Sequence, residues 1–144
     1  MKRKAKKFDL GIISTDFINL SSQKVELYCD DKVYNDIISF LSEKDINGYL
    51  IRKDRFRNIL IEIFSFRYNK ELYDKPKISN KSKDVTVMKF KRHRGSNWRI
   101  LCKEFISKGK KIVMIILFDK KTQEISKKQK KQMETIGAYE YELK

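Results

Sequence analysis

The stretch Lys111–Phe118 constrains this chain more than any other. Its inner part, Ile112 to Phe118, is the longest unbroken apolar run, at seven residues. Seven residues are too few to span a bilayer as a helix. A strand that is apolar on both sides belongs in the middle of a sheet. The rest of the chain must supply its neighbours. With 144 residues there is material for one domain, and a 40% hydrophobic content fills a single core. Disorder of the whole chain is excluded, and one Pro with five Gly excludes collagen-like and low-complexity classes.

The spacing of apolar residues changes along the chain. Lys24 to Tyr28 alternates as a short strand. Asp30 and Asp31 then offer an N-cap and a negative first turn. Val33, Ile37, Phe40 and Leu41 fall on one helical stripe, and Asn47-Gly48 ends that unit. Phe56, Ile59, Leu60, Ile63 and Phe64 repeat the helical spacing after Asp54, with Tyr68 as a weak extension. Lys75 to Lys83 is a polar linker that holds the one proline, Pro76. From Asp84 the period becomes two. Val85, Val87 and Lys89 share a strand face, Arg94 to Asn97 reads as a hairpin turn, and Trp98 to Phe105 returns. On that return Trp98, Ile100 and Cys102 face one way, and Arg99, Leu101 and Lys103 the other. A second turn at Ser107 to Lys110 leads into the apolar strand. Ser126 caps a polar helix running to Ile136 and Gly137. The expectation is an α+β fold. Its antiparallel-rich sheet, a three-strand C-terminal meander plus an N-terminal strand, packs against N-terminal helices, and a C-terminal helix follows. Residues 1–24 read as an extension with a mobile basic tail at 2–7, ahead of one domain at 25–144.

Charge is placed unevenly. Residues 1–74 hold 14 basic and 12 acidic side chains, whereas residues 75–144 hold 20 and 7. A basic half of this kind is the electrostatic footprint of a polyanion binder, nucleic acid or ribosome. An anionic membrane surface is the weaker partner, because no basic stretch carries a clean apolar face.

Familiar catalytic motifs are absent: no Walker-type loop, HExxH, CxxC or GxSxG occurs. One histidine, His93, makes no two-histidine acid–base pair. Acidic residues are scarce in the basic half, which leaves little for a divalent-metal nuclease site. What remains is basic residues on neighbouring strands. Lys89 and Lys91 point to one face of their strand. Pairing brings Arg99 beside them, and Lys120 and Lys121 end the third meander strand at the same rim. Such a cluster can hold a phosphate from several sides, with Arg99 making two parallel bonds. It would stabilise the added charge of a pentacovalent transition state. Crowding lowers some lysine pKa values, so a lysine could take the proton of a ribose 2′-hydroxyl. The plain alternative is a solvated, lysine-coated strand edge that blocks aggregation. His93 either donates a proton to a leaving oxygen or is an exposed residue by the turn. Trp98 either stacks on a base or packs in the core. Tyr139 and Tyr141 either stack on a nucleotide or anchor the last helix.

The stretch Val87–Ile136 resembles the RelE/HigB family of toxins from type II toxin–antitoxin systems. The resemblance rests on Met88-Lys89-Phe90-Lys91, on the aromatic-Arg pair Trp98-Arg99 opening a strand, and on the apolar strand ending in Phe118-Asp119-Lys120-Lys121-Thr122-Gln123. It implies a small α+β enzyme that cleaves mRNA on the ribosome and so inhibits translation. No cofactor or metal would take part, and the ribose 2′-hydroxyl would attack the adjacent phosphate to leave a 2′,3′-cyclic phosphate. Carried onto this sequence, Arg99 stabilises the transition state and Lys89 and Lys91 take base and phosphate roles. Lys120 or Lys121 is the basic group after the last meander strand, with Lys121 the catalytic assignment. Expected RNA contacts are Lys120, Arg92, Arg94, His93, Trp98 and Tyr139. The implied partners are a cognate antitoxin, mRNA and the ribosome, with no membrane. Two alternatives stand beside this reading: a ParE-like toxin that inhibits DNA gyrase, and a non-catalytic nucleic-acid-binding protein of a mobile element. No secretory signal is visible, and Cys29 and Cys102 form no disulfide framework, so a cytoplasmic location is expected.

Overall fold

The computed structural model describes residues 2–15, 17, 24–90, 97–106, 108–120 and 127–143. Its fold is α+β, with a seven-stranded mixed sheet and three α-helices. In chain order the elements are β1 (Arg3–Lys7), β2 (Val25–Asp30), α1 (Tyr34–Leu41), α2 (Lys53–Phe64), β3 (Tyr73–Asp74), β4 (Val85–Phe90), β5 (Trp98–Ile106), β6 (Lys110–Asp119), α3 (Lys127–Gly137) and β7 (Tyr141–Leu143). The strands lie in the order β3-β4-β5-β6-β2-β1-β7. The apolar strand β6 is interior, as its composition demands, paired antiparallel to β5 and parallel to β2. The sheet is therefore mixed, with β7 also parallel to β1 and the β1–β2, β3–β4, β4–β5 and β5–β6 pairings antiparallel.

Both faces are covered. Against one pack Ile37, Phe40 and Leu41 of α1 and Phe56, Ile59, Leu60 and Ile63 of α2. They meet Leu27, Met88, Phe90, Ile100, Cys102, Ile112 and Met114. The other face carries Val85, Val87, Leu101, Val113 and Ile115 beneath Met133 and Ile136 of α3. At roughly 1.5–3 kcal/mol per fully buried large apolar side chain, the two buried residues of α3 attach it far less firmly than the seven from α1 and α2 attach theirs. Polar anchors make up part of the difference. Lys103 Nζ donates to Gly137 O (2.7 Å) and Tyr139 O (2.8 Å), a cation at a helix C-terminus, and Ser79 Oγ donates to Glu134 Oε2 (2.8 Å). Gly137 also lets α3 approach the 3₁₀ turn Asn80–Ser82, where a Cβ would come within 1.8 Å of Lys81 O.

Three expectations change. Arg3–Lys7 is a strand, not a mobile tail, and described residues of the extension join the sheet and the core. Ala5 is fully buried, Asp31 N donates to Lys4 O (3.0 Å), and Phe8, Ile13 and Phe17 enter the main core. Asp30 does not cap α1, whose N-cap is Val33 with no side-chain bond. Instead its buried carboxylate accepts from Arg3 Nε (2.9 Å) and Tyr141 OH (2.6 Å), tying both terminal strands to β2. Tyr68 does not continue α2, because Phe66 takes a left-handed conformation (φ 58°) just beyond the helix. The hairpin at Arg94–Ser96 and the cap at Ser126 lie outside the described residues.

Candidate active site

Strand register builds the site. In the antiparallel β4–β5 ladder Lys89 lies directly opposite Arg99, and in the β5–β6 ladder Arg99 lies opposite Phe118. Like charges facing across a ladder repel, so the pairing is a cost the fold must offset locally. Alternation puts Lys89 and Arg99 on the α3 face with Val87 and Leu101. Strict alternation would have sent Phe118 and Lys120 to the other face, because Ile112 and Met114 point there. An irregularity intervenes: Leu101 pairs with Ile116 but Cys102 with Met114, so β6 carries one extra residue. Ile115 and Ile116 both pack on the α3 face, and beyond the bulge Phe118 joins them. A bulge that re-aims side chains is a recurrent device next to functional sites.

The result is a half-open pocket lined by Asp74, Val87, Lys89, Arg99, Leu101, Phe118 and Lys120 from the sheet edge and strands. Gln129, Gln132 and Met133 of α3 close one side. Val87, Leu101 and Phe118 form an apolar floor, and three cations stand on it. Lys89 Nζ donates to Lys70 O (2.7 Å) and pairs with Asp74 Oδ2 (3.3 Å). Arg99 Nε donates to Asn97 Oδ1 (3.3 Å). The rim is fixed by a main-chain bond, Lys120 N to Asn97 O (2.8 Å), and by Asn97 N donating to the Asp119 side chain at Oδ1 (2.8 Å). Burial lowers the pKa of Arg99, Asp74 opposes that shift, and Arg55 adds to it. Burial also lowers that of Lys120, helped by the charges of Arg99 and Lys89. Water is already partly excluded from these cations, and they repel one another. An incoming dianion relieves both penalties.

Of the expected site residues, Lys89, Arg99 and Lys120 come together. Lys91, Arg92, His93, Arg94 and Lys121 lie outside the described residues. Trp98 does not join the site. It is half-buried on the opposite face, its ring 5.4 Å from that of Phe40. Tyr139 sits at the far end of α3, under the Arg3 guanidinium (4.3 Å) and beside Tyr141, so it anchors the chain end.

Two contributors escape a reading of the sequence. Asp74 belongs to the two-residue edge strand β3, opposite Val87, and brings the pocket its one carboxylate among the described residues. Arg55, on α2, reaches the β3–β4 edge from behind. Its Nε donates to Lys89 O (2.8 Å) and its guanidinium also bonds Glu71 O. It thus holds the main chain of Lys89 and of the turn before β3. No local sequence signal marks either residue, because both act through tertiary pairing.

Among the described residues no three His, Cys, Asp or Glu side chains form a metal-binding group, and no helix is long and apolar enough to cross a membrane. Compared with known proteins, the chain matches no family model, no curated protein and no solved structure.

Proposed function

We propose that this protein is an endoribonuclease that cleaves ribosome-bound mRNA by attack of a ribose 2′-hydroxyl on the neighbouring phosphate, acting as the toxin of a type II toxin–antitoxin pair. The observation that carries the reading is the convergence of Lys89, Arg99 and Lys120 on one partly desolvated pocket, two by ladder register and the third through the β6 bulge. Three cations around one phosphate neutralise the charge that grows as the phosphorus becomes pentacovalent. Arg99 supplies a planar fork for two oxygens at once. The order β2, α1, α2 and then the meander β4–β6, with the motifs Trp98-Arg99 and Phe118 to Gln123, supports a RelE-like assignment of the fold in the same proposal. A cognate antitoxin would be the partner that restrains the activity.

The test uses ribosome-bound mRNA with one 2′-deoxy nucleotide placed 5′ of the scission. Wild-type protein should cleave the all-ribose message and leave the deoxy site intact. Arg99→Ala should slow cleavage by about two to three decades, the usual cost of removing one transition-state donor, and should abolish growth arrest on expression. Cleavage of the deoxy site at the normal rate would overturn the mechanism. Growth arrest with intact mRNA and inhibited gyrase would replace it by the ParE-like reading.

A further inference from the structure

Asp74 is the unexplained member of the pocket, a carboxylate set among cations that would bind a phosphate. We infer that Asp74 is the base that takes the 2′-hydroxyl proton, an assignment that rests on the ribonuclease reading above.

Elimination among the described pocket groups leads there first. A guanidinium is not deprotonated in proteins, so Arg99 accepts no proton. Lys89 is engaged as a donor twice, to the Lys70 carbonyl at 2.7 Å and to Asp74 at 3.3 Å. An ammonium has no lone pair, and losing a proton would remove the charge that binds it to Asp74. Both contacts use Lys89 as a donor, the role in which it also binds phosphate. Lys120 lies next to Arg99 and Lys89, and burial lowers its pKa. Lys120 follows β6, across β4 and β5 from the strand that carries Asp74, and attacking and leaving oxygens lie roughly in line at phosphorus, so the two groups stand on opposite sides of the phosphate and Lys120 serves the leaving oxygen. Gln129 and Gln132 do not titrate. Asp74 is left as the acceptor.

Placement agrees. Opposite Val87 in the β3–β4 ladder, Asp74 lies on the pocket side of the sheet, with its side chain 23% exposed. A carboxylate has lone pairs on both oxygens, so an ion pair with Lys89 leaves room for a hydroxyl. The strand that carries it is short but held: Arg55 bonds the main chain at Glu71 and at Lys89. The charged groups around Asp74 are Lys89 on β4, Arg99 on β5 and Lys120 after β6. Lys70, Lys75 and Lys77 flank it on its own segment.

The step balances without a co-reactant. An Asp74 oxygen takes the proton from the 2′-hydroxyl, and the O2′ electron pair forms the bond to phosphorus. The P–O5′ bond breaks, and its pair stays on O5′, which takes a proton from Lys120 Nζ. A 2′,3′-cyclic phosphate and a 5′-hydroxyl result. Water then carries a proton from Asp74 back to Lys120.

Single-turnover cleavage of ribosome-bound mRNA by wild type, Asp74→Asn and Asp74→Glu tests this, with the pH profile of the wild type. Asp74→Asn should lower the cleavage rate by about two to four decades, and Asp74→Glu should restore part of it. Affinity for the 2′-deoxy message should change by less than about threefold in either variant, because the phosphate-binding cations remain. A carboxylate base predicts a rate already level by about pH 7 that falls only where Lys120, the acid, loses its proton. A lysine base would give a rate still climbing between about pH 7 and 9. A climbing profile overturns the assignment without any variant, so it stands or falls even if a substituted chain misfolds. Wild-type rates in a folded Asp74→Asn protein would also overturn it, as would a loss matched by weakened binding. A wild-type protein that cleaves no RNA is a different result: it removes the ribonuclease reading, and this assignment with it.

Discussion

Two of the charged residues on strand β5 have opposite fates. Arg99, near its start, faces α3. Glu104, five residues on, faces the other side. Glu104 is 4% exposed and fully partnered: Tyr68 OH and Tyr73 OH donate at 2.7 Å each, Lys75 lies at 3.2 Å and Lys110 at 3.5 Å. Thr86 Oγ1 donates in turn to Tyr73 OH (2.9 Å), and Tyr68 stacks on Tyr73 with ring centres 5.8 Å apart. Burial works against ionisation of Glu104, but the two hydroxyls and two cations outweigh it and hold the carboxyl below its usual range. Among the described residues that line the Arg99 pocket, three cations accompany one carboxylate, Asp74, which pairs with Lys89. Both regions are clusters of charge, and the positive excess is larger in the pocket lining than around Glu104, whose one carboxylate meets two cations. A network whose donors and acceptors match within the chain rigidifies a fold, while one with excess of a single sign is prepared for a ligand of the other.

The largest expected effect that separates the two regions is on stability. Glu104→Ala strips the centre from a buried network and leaves Lys75 and Lys110 side by side without it. Such a deletion should cost about 3 kcal/mol, in the range found when one partner of a buried pair is removed, and so about two decades in the folding equilibrium. Urea melts measure it. Cleavage by the folded fraction should be unchanged, since Glu104 is on the other face. A variant with wild-type stability would show that the network does not hold the fold together.

The pocket should answer to an anion in the complementary way. Inorganic phosphate should stabilise the wild type by roughly 1.4 kcal/mol at tenfold over its dissociation constant, read as a rise in Tm against sodium chloride of equal ionic strength. Glu104→Gln should keep the whole increment, whereas Arg99→Ala should lose most of it. Equal increments in wild type and Arg99→Ala would locate the anion elsewhere and dissolve the contrast between the regions.

Much of this layout was legible from residue spacing, and the parts that were not share a physical reason. The stripes Ile37-Phe40-Leu41 and Phe56-Ile59-Leu60-Ile63 bury one helix face each, so their period reports their environment directly. The alternation from Val85 to Phe105 does the same for β4 and β5, and it already set Arg99 beside Lys89 and Trp98 on the other side. β1 was hidden because only Ala5 of Arg3–Lys7 is buried, and a strand of lysines has no apolar period. Its place is decided by Arg3 finding Asp30, twenty-seven positions away. β3, with two residues, is too short to have a period at all. Asp74 came with it into the pocket, from the half of the chain whose charge is nearly balanced. The bulge at Ile115 lies inside an unbroken apolar run, where either face accepts any residue, so nothing in the composition marks where the alternation slips.

The smallest effect, and the finest test of the contrast, is in the pH dependence of stability. Glu104 titrates in the folded chain below its ordinary value of 4.5. The unfolded chain therefore binds its proton first as pH falls, and the stability that Glu104 supplies is complete above about pH 4.5 and is lost below it. Lys120 works in the other direction at the alkaline end. Burial and the nearby charges of Arg99 and Lys89 depress it below 10.5 in the fold. Between its folded value and 10.5 the unfolded chain binds more protons, so discharge of Lys120 makes stability rise with pH. Tyr68, Tyr73 and Tyr141, all raised by burial, pull the same region downward, and Lys103, lowered by burial, adds to the rise. Differences between variants isolate each contribution. Wild type minus Glu104→Gln should fall as pH drops through the acid range. Wild type minus Lys120→Met should climb as pH rises towards 10.5. A flat alkaline difference would mean that Lys120 has no charge strain in the folded chain, and the pocket would then be no more poised for an anion than the balanced network on the other face.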